Sequence, residues 1–269
     1  MRKIVSLAQL LAWLLGFTFV FYSCQPAREQ VAEVPVKPSP VLPTIADTLI
    51  SPASKPEPAP EVASRQVSEA EQALIDAGLV DIQTLDSTIR VELKYSTTNN
   101  FVGVDVYGDL SKAYLQKEPS LKLVKAQRYL RETHPGYSLL IYDAARSRRV
   151  QQILWDTLQK PAKLKPLYVA DPKKGSIHNY GAAVDLTIID PAGKPLDMGT
   201  GYDFFGEMAY PSKEEVLLQQ GKLTQEQIDN RLILRETMRR AGFTPIDSEW
   251  WHFNALSLAR CRQQYGIIE

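Results

Sequence analysis

Ser176-Ile177-His178-Asn179-Tyr180-Gly181-Ala182-Ala183-Val184-Asp185 is the stretch from which the fold reads outward. It passes from a loop-like segment into Ala183 to Ile189, a run that is β-branched and apolar around one acid, as a buried core strand is. Gly181 lies where a chain turning from the loop into that strand needs a backbone free of Cβ constraints. His178 stands within a few residues of the acid in that run, Asp185. Far along the chain, Glu249-Trp250-Trp251-His252 holds another of the three histidines beside a second acid.

Around this core the pattern is mixed. Ser68 to Ala77 reads as a short helix, and Ile89-Arg90-Val91-Glu92-Leu93 alternates like a strand. Ser120 to Thr133 is helical in composition and stops before His134-Pro135-Gly136, and Ser138 to Tyr142 suits a buried strand. Val150, Ile153, Leu154, Thr157 and Leu158 form one stripe on a helix. Thr224 with Gln227 makes a capping box for a helix running to about Ala241, where Gly242 can end it. Without a regular βαβ alternation, the expected class is α+β, with a central antiparallel or mixed sheet and flanking helices.

Two imidazoles and a carboxylate, His178, Asp185 and His252, are a donor set suited to a catalytic zinc, which takes three protein ligands and keeps one position open. One Zn2+ per chain is expected. Water at such an ion has a pKa of about 7, and a carboxylate that is not a ligand must take its proton and pass it to the leaving amine. Glu249 is the candidate. Positions three apart on a regular strand face opposite ways, so Glu249 must sit at a bulge, turn or strand end to share a site with His252. Arg146, following Leu139-Leu140-Ile141-Tyr142-Asp143, is better placed to face a developing oxyanion than Arg148 or Arg149, which enter the next helix. Plainer roles suit other residues: His134 at a helix end, Trp250 and Trp251 as core and pocket wall, Cys261 as a small buried apolar residue, and Asp143 as partner of a nearby arginine.

Composition narrows the partners. The 31 basic and 31 acidic residues cancel, which speaks against nucleic acid and broad anionic surfaces and for a small or neutral substrate. Met1-Arg2-Lys3, an apolar run from Ile4 to Tyr22 and Ser23-Cys24 have the layout of an export signal. Its ending resembles a bacterial lipoprotein signal, which makes Cys24 the lipidation site and residues 1–24 the signal; an uncleaved anchor is the alternative. Either way the domain faces the periplasm or the cell exterior, membrane-bound through its N-terminus. Residues 25–66 hold nine of the 18 prolines and no glycine, a stiff spacer, which leaves 67–269 as one domain of roughly 200 residues. With Cys24 lipidated, Cys261 has no disulfide partner within the chain.

From roughly Asp81 to the C-terminus the chain resembles the zinc D-alanyl-D-alanine dipeptidase family, relatives of D,D- and L,D-carboxypeptidases sharing the Hedgehog/DD-peptidase fold. The matching pieces are Lys94-Tyr95 with Asn100-Phe101, Tyr142-Asp143-Ala144-Ala145-Arg146, Ser176 through Asp185, Asp197-Met198-Gly199-Thr200-Gly201-Tyr202-Asp203, and Glu249-Trp250-Trp251-His252-Phe253. The resemblance implies zinc on His178, Asp185 and His252, Glu249 as general base then acid, and Arg146 on the tetrahedral intermediate. It also implies Asp203 as receiver of the dipeptide's ammonium group and Ser176 as an orienting residue. The family usually flanks the arginine with tyrosine and proline; Ala145 and Ser147 stand here instead, and an altered arginine support and pocket wall are expected. The implied activity is hydrolysis of D-Ala-D-Ala in cell-wall fragment turnover or salvage, with no protein partner. The alternatives are a peptidoglycan D,D- or L,D-carboxypeptidase and a non-catalytic, zinc-stabilised wall-binding module. Glu249 argues against the last, since a structural zinc site has no use for a spare base.

Overall fold

The computed structural model describes residues 67–269. The expected signal at 1–24, Cys24 and the linker at 25–66 lie outside the described residues. Helix α1 (Glu69–Asp76) opens on Ser68, whose hydroxyl accepts from the Glu71 amide at 3.2 Å. It leads into β1 (Val80–Asp81) and the single turn α2 (Ile82–Leu85). Of the alternating stretch 89–93, only β2 (Arg90–Val91) is strand, because the chain bends into a 3-10 turn at Lys94–Ser96. After a long loop, β3 (Tyr114–Leu115) pairs with β1 in a separate two-stranded ribbon. Helix α3 (Lys117–Thr133) starts before the expected Ser120, with Pro119 in its first turn, where a missing N–H costs nothing.

The main sheet takes β4 (Ser138–Asp143), then, after α4 (Arg148–Thr157), β5 (Ala183–Ile189). Next come α5 (Glu214–Gln219), α6 (Gln225–Arg240), β6 (Thr244–Pro245), β7 (His252–Asn254) and α7 (Leu258–Gln264). Its order is β2-β4-β5-β7-β6, with β2 parallel to β4 and every other pair antiparallel, so the class is α+β with a mixed sheet, as expected. The capping box of α6 forms in both directions, Thr224 hydroxyl from Gln227 N at 3.2 Å and Gln227 Oε1 from Thr224 N at 2.9 Å.

Val184, Leu186 and Ile188 of β5 belong to one buried core with Leu123 and Leu130 of α3 and Leu234 and Met238 of α6. Each such side chain contributes about 1.5–3 kcal/mol by leaving water. Alternation then turns Asp185 and Thr187 to the other face. That leaves one sheet face packed under helices and the other free to carry polar groups. Among the described residues no helix is long and apolar enough to cross a membrane.

Candidate metal centre and its cavity

Strand register does the first part of the assembly. Asp185 lies directly opposite His252 across β5 and β7, so the two share a face. On the other side, a bulge between Ile141 and Asp143 sets Asp143 opposite Asp185. In regular pairing Asp143 would face Val184 and the helix-covered core; the extra residue turns it toward the site. Asp143, Asp185 and His252 therefore form a row across three strands. His178 comes from the 3-10 turn Ile177–Tyr180, capped by Ser176, whose hydroxyl accepts from His178 N at 3.2 Å while its own N donates to Asn179 Oδ1 at 2.7 Å. Gly181 ends the turn at φ +62°, and a Cβ there would lie 2.8 Å from Leu79 Cδ2.

The hydrogen bonds around these residues leave three lone pairs pointing at one another. With Nδ1 donating to Ala144 O at 2.7 Å, the neutral ring of His178 presents Nε2 as its acceptor. With Nε2 donating to Asn254 Oδ1 at 2.8 Å, the neutral ring of His252 presents Nδ1 as its acceptor. Asp185 Oδ2 accepts from the Tyr202 hydroxyl at 3.0 Å, which leaves Oδ1. His178 Nε2, His252 Nδ1 and Asp185 Oδ1 stand 3.2, 3.4 and 2.9 Å apart. Tetrahedral ligands about 2.0–2.1 Å from a common centre lie about 3.4 Å apart. Three converging acceptors at that spacing fit a divalent cation, and among the described residues they are the one such group of histidine and acidic side chains. Without a metal the two rings can instead carry protons toward Asp185; in that state burial, which would raise its carboxyl, is outweighed by their charges and hydrogen bonds, His178 first, which hold it well below the usual range.

The cluster opens into a cavity of about 290 Å³ lined also by Glu249, Arg146, Asp203, Ser176 and Tyr95. Glu249 lies ahead of β7, off the strand, and its Oε2 is 3.9 Å from His252 Nδ1. This meets the geometric requirement the sequence imposed. Burial pushes its carboxyl up to about 7, against the pull of His252. Arg146 is buried; its Nε donates to Asp143 Oδ2 and its Nη1 to Gln151 Oε1, both at 2.9 Å, and its Nη2 reaches Asp143 and lies 3.7 Å from Asp185 Oδ2. Burial works against that charge, but Asp143 outweighs it and keeps the guanidinium ionised. Asp203 accepts from the Tyr95 hydroxyl at 3.1 Å, and burial with the nearby Asp185 charge raises it to about 8. It is the one described non-glycine residue with positive φ, at 59°.

Ala145 and Ser147 do not line this cavity. They border a separate one of about 390 Å³ beside α1, while Ser147 caps α4 and Arg146 takes its support from Asp143 and Gln151. Among the plainer readings, Asp143 does pair with the arginine, His134 sits at a helix end against Thr133 and Tyr137, and Trp250, Trp251 and Cys261 are buried. Sequence reasoning did not pick out Tyr107, which donates to Asp143 Oδ1 at 2.5 Å, nor Gln151, Asn254 or Tyr202. Asn254 carried a signal, being two residues from His252 on one strand and so on its face.

The sequence profile of the D-Ala-D-Ala dipeptidase family of peptidases matches residues 75–266. A D-alanyl-D-alanine dipeptidase of Escherichia coli K12 is 34% identical over 175 residues, 65% of this chain and 83% of that protein. Proteins of the same name from Enterococcus faecium and Synechocystis are 25% and 28% identical, over 66% and 57% of this chain and 92% and 73% of their own.

Proposed function

The chain belongs to the D-Ala-D-Ala dipeptidase family of metal-dependent peptidases, and from that premise we propose that it cleaves D-Ala-D-Ala to two D-alanines with zinc on His178, Asp185 and His252. The observation that carries the reading is the convergence of three potential ligand atoms at 2.9–3.4 Å beside an acid that is not one of them. Zinc held there supplies Lewis acidity, which polarises a carbonyl and makes water a nucleophile near neutral pH. Glu249 takes the proton from the attacking water and returns it to the leaving amine, a cycle suited to a carboxyl poised near 7. Arg146, fixed by Asp143 and Gln151, presents its charge to the oxyanion. Asp203 receives the substrate ammonium group, whose positive charge favours the ionised carboxylate over the protonated one. Ser176 orients the substrate from the cap of the His178 turn.

The location belongs to the same proposal and rests on residues 1–66 of the sequence: export, lipid on Cys24, a spacer, and a domain at 67–269 outside the cytoplasm. An enzyme placed there meets dipeptide released from wall fragments, and salvage or turnover is the biology it fits. The test is D-alanine release by the full chain after chelation and stepwise return of zinc, from D-Ala-D-Ala and from a wall pentapeptide in parallel. Zinc-restored release from the dipeptide alone is expected. Release from the pentapeptide would make the protein a carboxypeptidase, and no release from folded, zinc-loaded protein would overturn the enzymatic reading.

A further inference from the structure

We propose that Tyr202 is a positioning residue that ties metal occupancy to the loop forming one wall of the cavity. The inference rests on the metal reading above and deepens it. Its starting point is how each candidate ligand is held by its other atom. His178 is held by a backbone carbonyl and His252 by Asn254 on its own strand. Asp185 is held at Oδ2 by a hydroxyl on the loop between Gly199 and Gly206, its one hydrogen-bond donor there among the described residues, with the Arg146 guanidinium farther off at 3.7 Å. With Oδ2 committed to Tyr202 at 3.0 Å, the carboxylate offers Oδ1 as a single ligand atom, at the spacing the two imidazoles require.

The same loop is pinned at both ends by one buried side chain. Arg231 of α6 donates from Nε to Met198 O at 2.7 Å and from Nη2 to Met208 O at 2.8 Å. Trp250 Nε1 holds Thr200 Oγ1 at 2.8 Å. Between these fixed points the backbone passes through Gly199 at φ +79° and Asp203 at φ +59°. Tyr202 packs its ring on Tyr95, Tyr142 and Trp251, with centroids 6.0, 5.4 and 5.5 Å away. The next residue, Asp203, meets Tyr95. A cation on Oδ1 fixes the plane of the Asp185 carboxylate, which fixes the acceptor for Tyr202 and with it the position of Asp203. Linkage makes the effect reciprocal: whatever orders the loop tightens the metal.

Tyr202→Phe removes one oxygen and keeps the ring. By competition with a chromogenic chelator, full-chain Tyr202→Phe is expected to bind zinc about 10–100-fold more weakly than wild type, the usual cost of losing a partner behind a ligand. Tyr142→Phe, in the same aromatic cluster, is expected to bind zinc as wild type does. Hydrogen exchange supplies a second readout: stripping zinc should speed exchange of amides 199–206 in wild type, and much less in Tyr202→Phe, where the loop is already released. Zinc affinity within about twofold of wild type, or loop exchange indifferent to zinc in the wild type, would overturn the proposal. Failure of the wild type itself to bind zinc would instead sink the metal reading on which it stands.

Discussion

Strand β5 and the loop from Gly199 to Gly206 line one cavity and hold their side chains in different ways. On β5, Asp185 is placed by ladder register against β4 and β7, with Val184 and Leu186 locked in the core on either side of it. Moving Asp185 would mean moving the sheet. In the loop, Tyr202 and Asp203 rest on a few polar anchors, chiefly one arginine from α6, and on a backbone bent through positive φ. The chemistry is divided along the same line. The groups proposed to bind metal and transfer protons lie on or beside strands, and the group proposed to grip the substrate lies on the loop. A metal site needs fixed distances, whereas a substrate site needs a wall that can admit and release.

The sharpest way to separate the two regions is to remove the base while sparing the ligands. Glu249→Gln is expected to lower kcat by about 10²–10⁴-fold while the zinc content of the purified protein stays at the wild-type level. Glu249 contacts His252 only at 3.9 Å, so the ligand set keeps its hydrogen bonds. Loss of zinc along with activity would mean that Glu249 belongs to the ligand set and that base and ligands are one unit.

On the loop side, the informative change is Arg231→Met. Arg231 is buried, and the change removes two charge-assisted hydrogen bonds to Met198 O and Met208 O. Glu214 keeps Arg235 as its partner at 2.8 Å, so no carboxylate is stranded. Urea denaturation should register a loss of about 3 kcal/mol. In kinetics KM should rise more than kcat falls, and any drop in zinc affinity should not exceed that of Tyr202→Phe, since Arg231 reaches the metal ligands only through that side chain. A larger drop would erase the distinction between strand and loop.

The contrast also explains what could be read in the sequence. The run Ala183–Ile189 is strand from end to end, because a β-branched apolar run buried on both faces has few other conformations. Thr224 and Gln227 marked the start of α6 because capping is a local interaction. The row of Asp143, Asp185 and His252 depends on a bulge and on pairing between distant strands, which no local pattern carries. The alternation at 89–93 yields only a two-residue strand, since an edge strand extends as far as its neighbour offers partners, and here the chain turns away at Lys94. Ala145 and Ser147, adjacent in sequence to the site arginine, lie against a different cavity, because chain proximity says nothing about which way a side chain points. Arg231 gave no sign of its reach to the Met198 to Met208 segment; in sequence it is one more charge on a capped helix.

The smallest expected effect concerns Asp203 and tests whether the loop, like the strand, buries its acid at a cost. In the metal-free protein Asp203 is raised to about 8, first by burial and then by the Asp185 charge, against an ordinary value of 3.8. Between those two values the folded chain keeps a proton that the unfolded chain has released. Stability contributed by this group therefore falls as pH rises across the window and levels off above it. Asn resembles the protonated carboxyl, can still accept from Tyr95, and tolerates the positive φ that Asp203 adopts. Asp203→Asn should thus gain on wild type as pH is raised from 5 to 8, by on the order of 1 kcal/mol after solvent screening, or about 2–4 °C in Tm for a domain of this size. Glu249, raised to about 7 first by burial and in part by the Asp203 charge, pulls stability in the same direction, and Asp203→Asn relieves that part as well, which adds to the expected gain. The comparison must be made without metal, because a cation on Asp185 removes the charge that helps hold Asp203 protonated. A constant gap between the two melting curves across that pH range would show that the loop opens to solvent before Asp203 ionises, and that it yields where the strand does not.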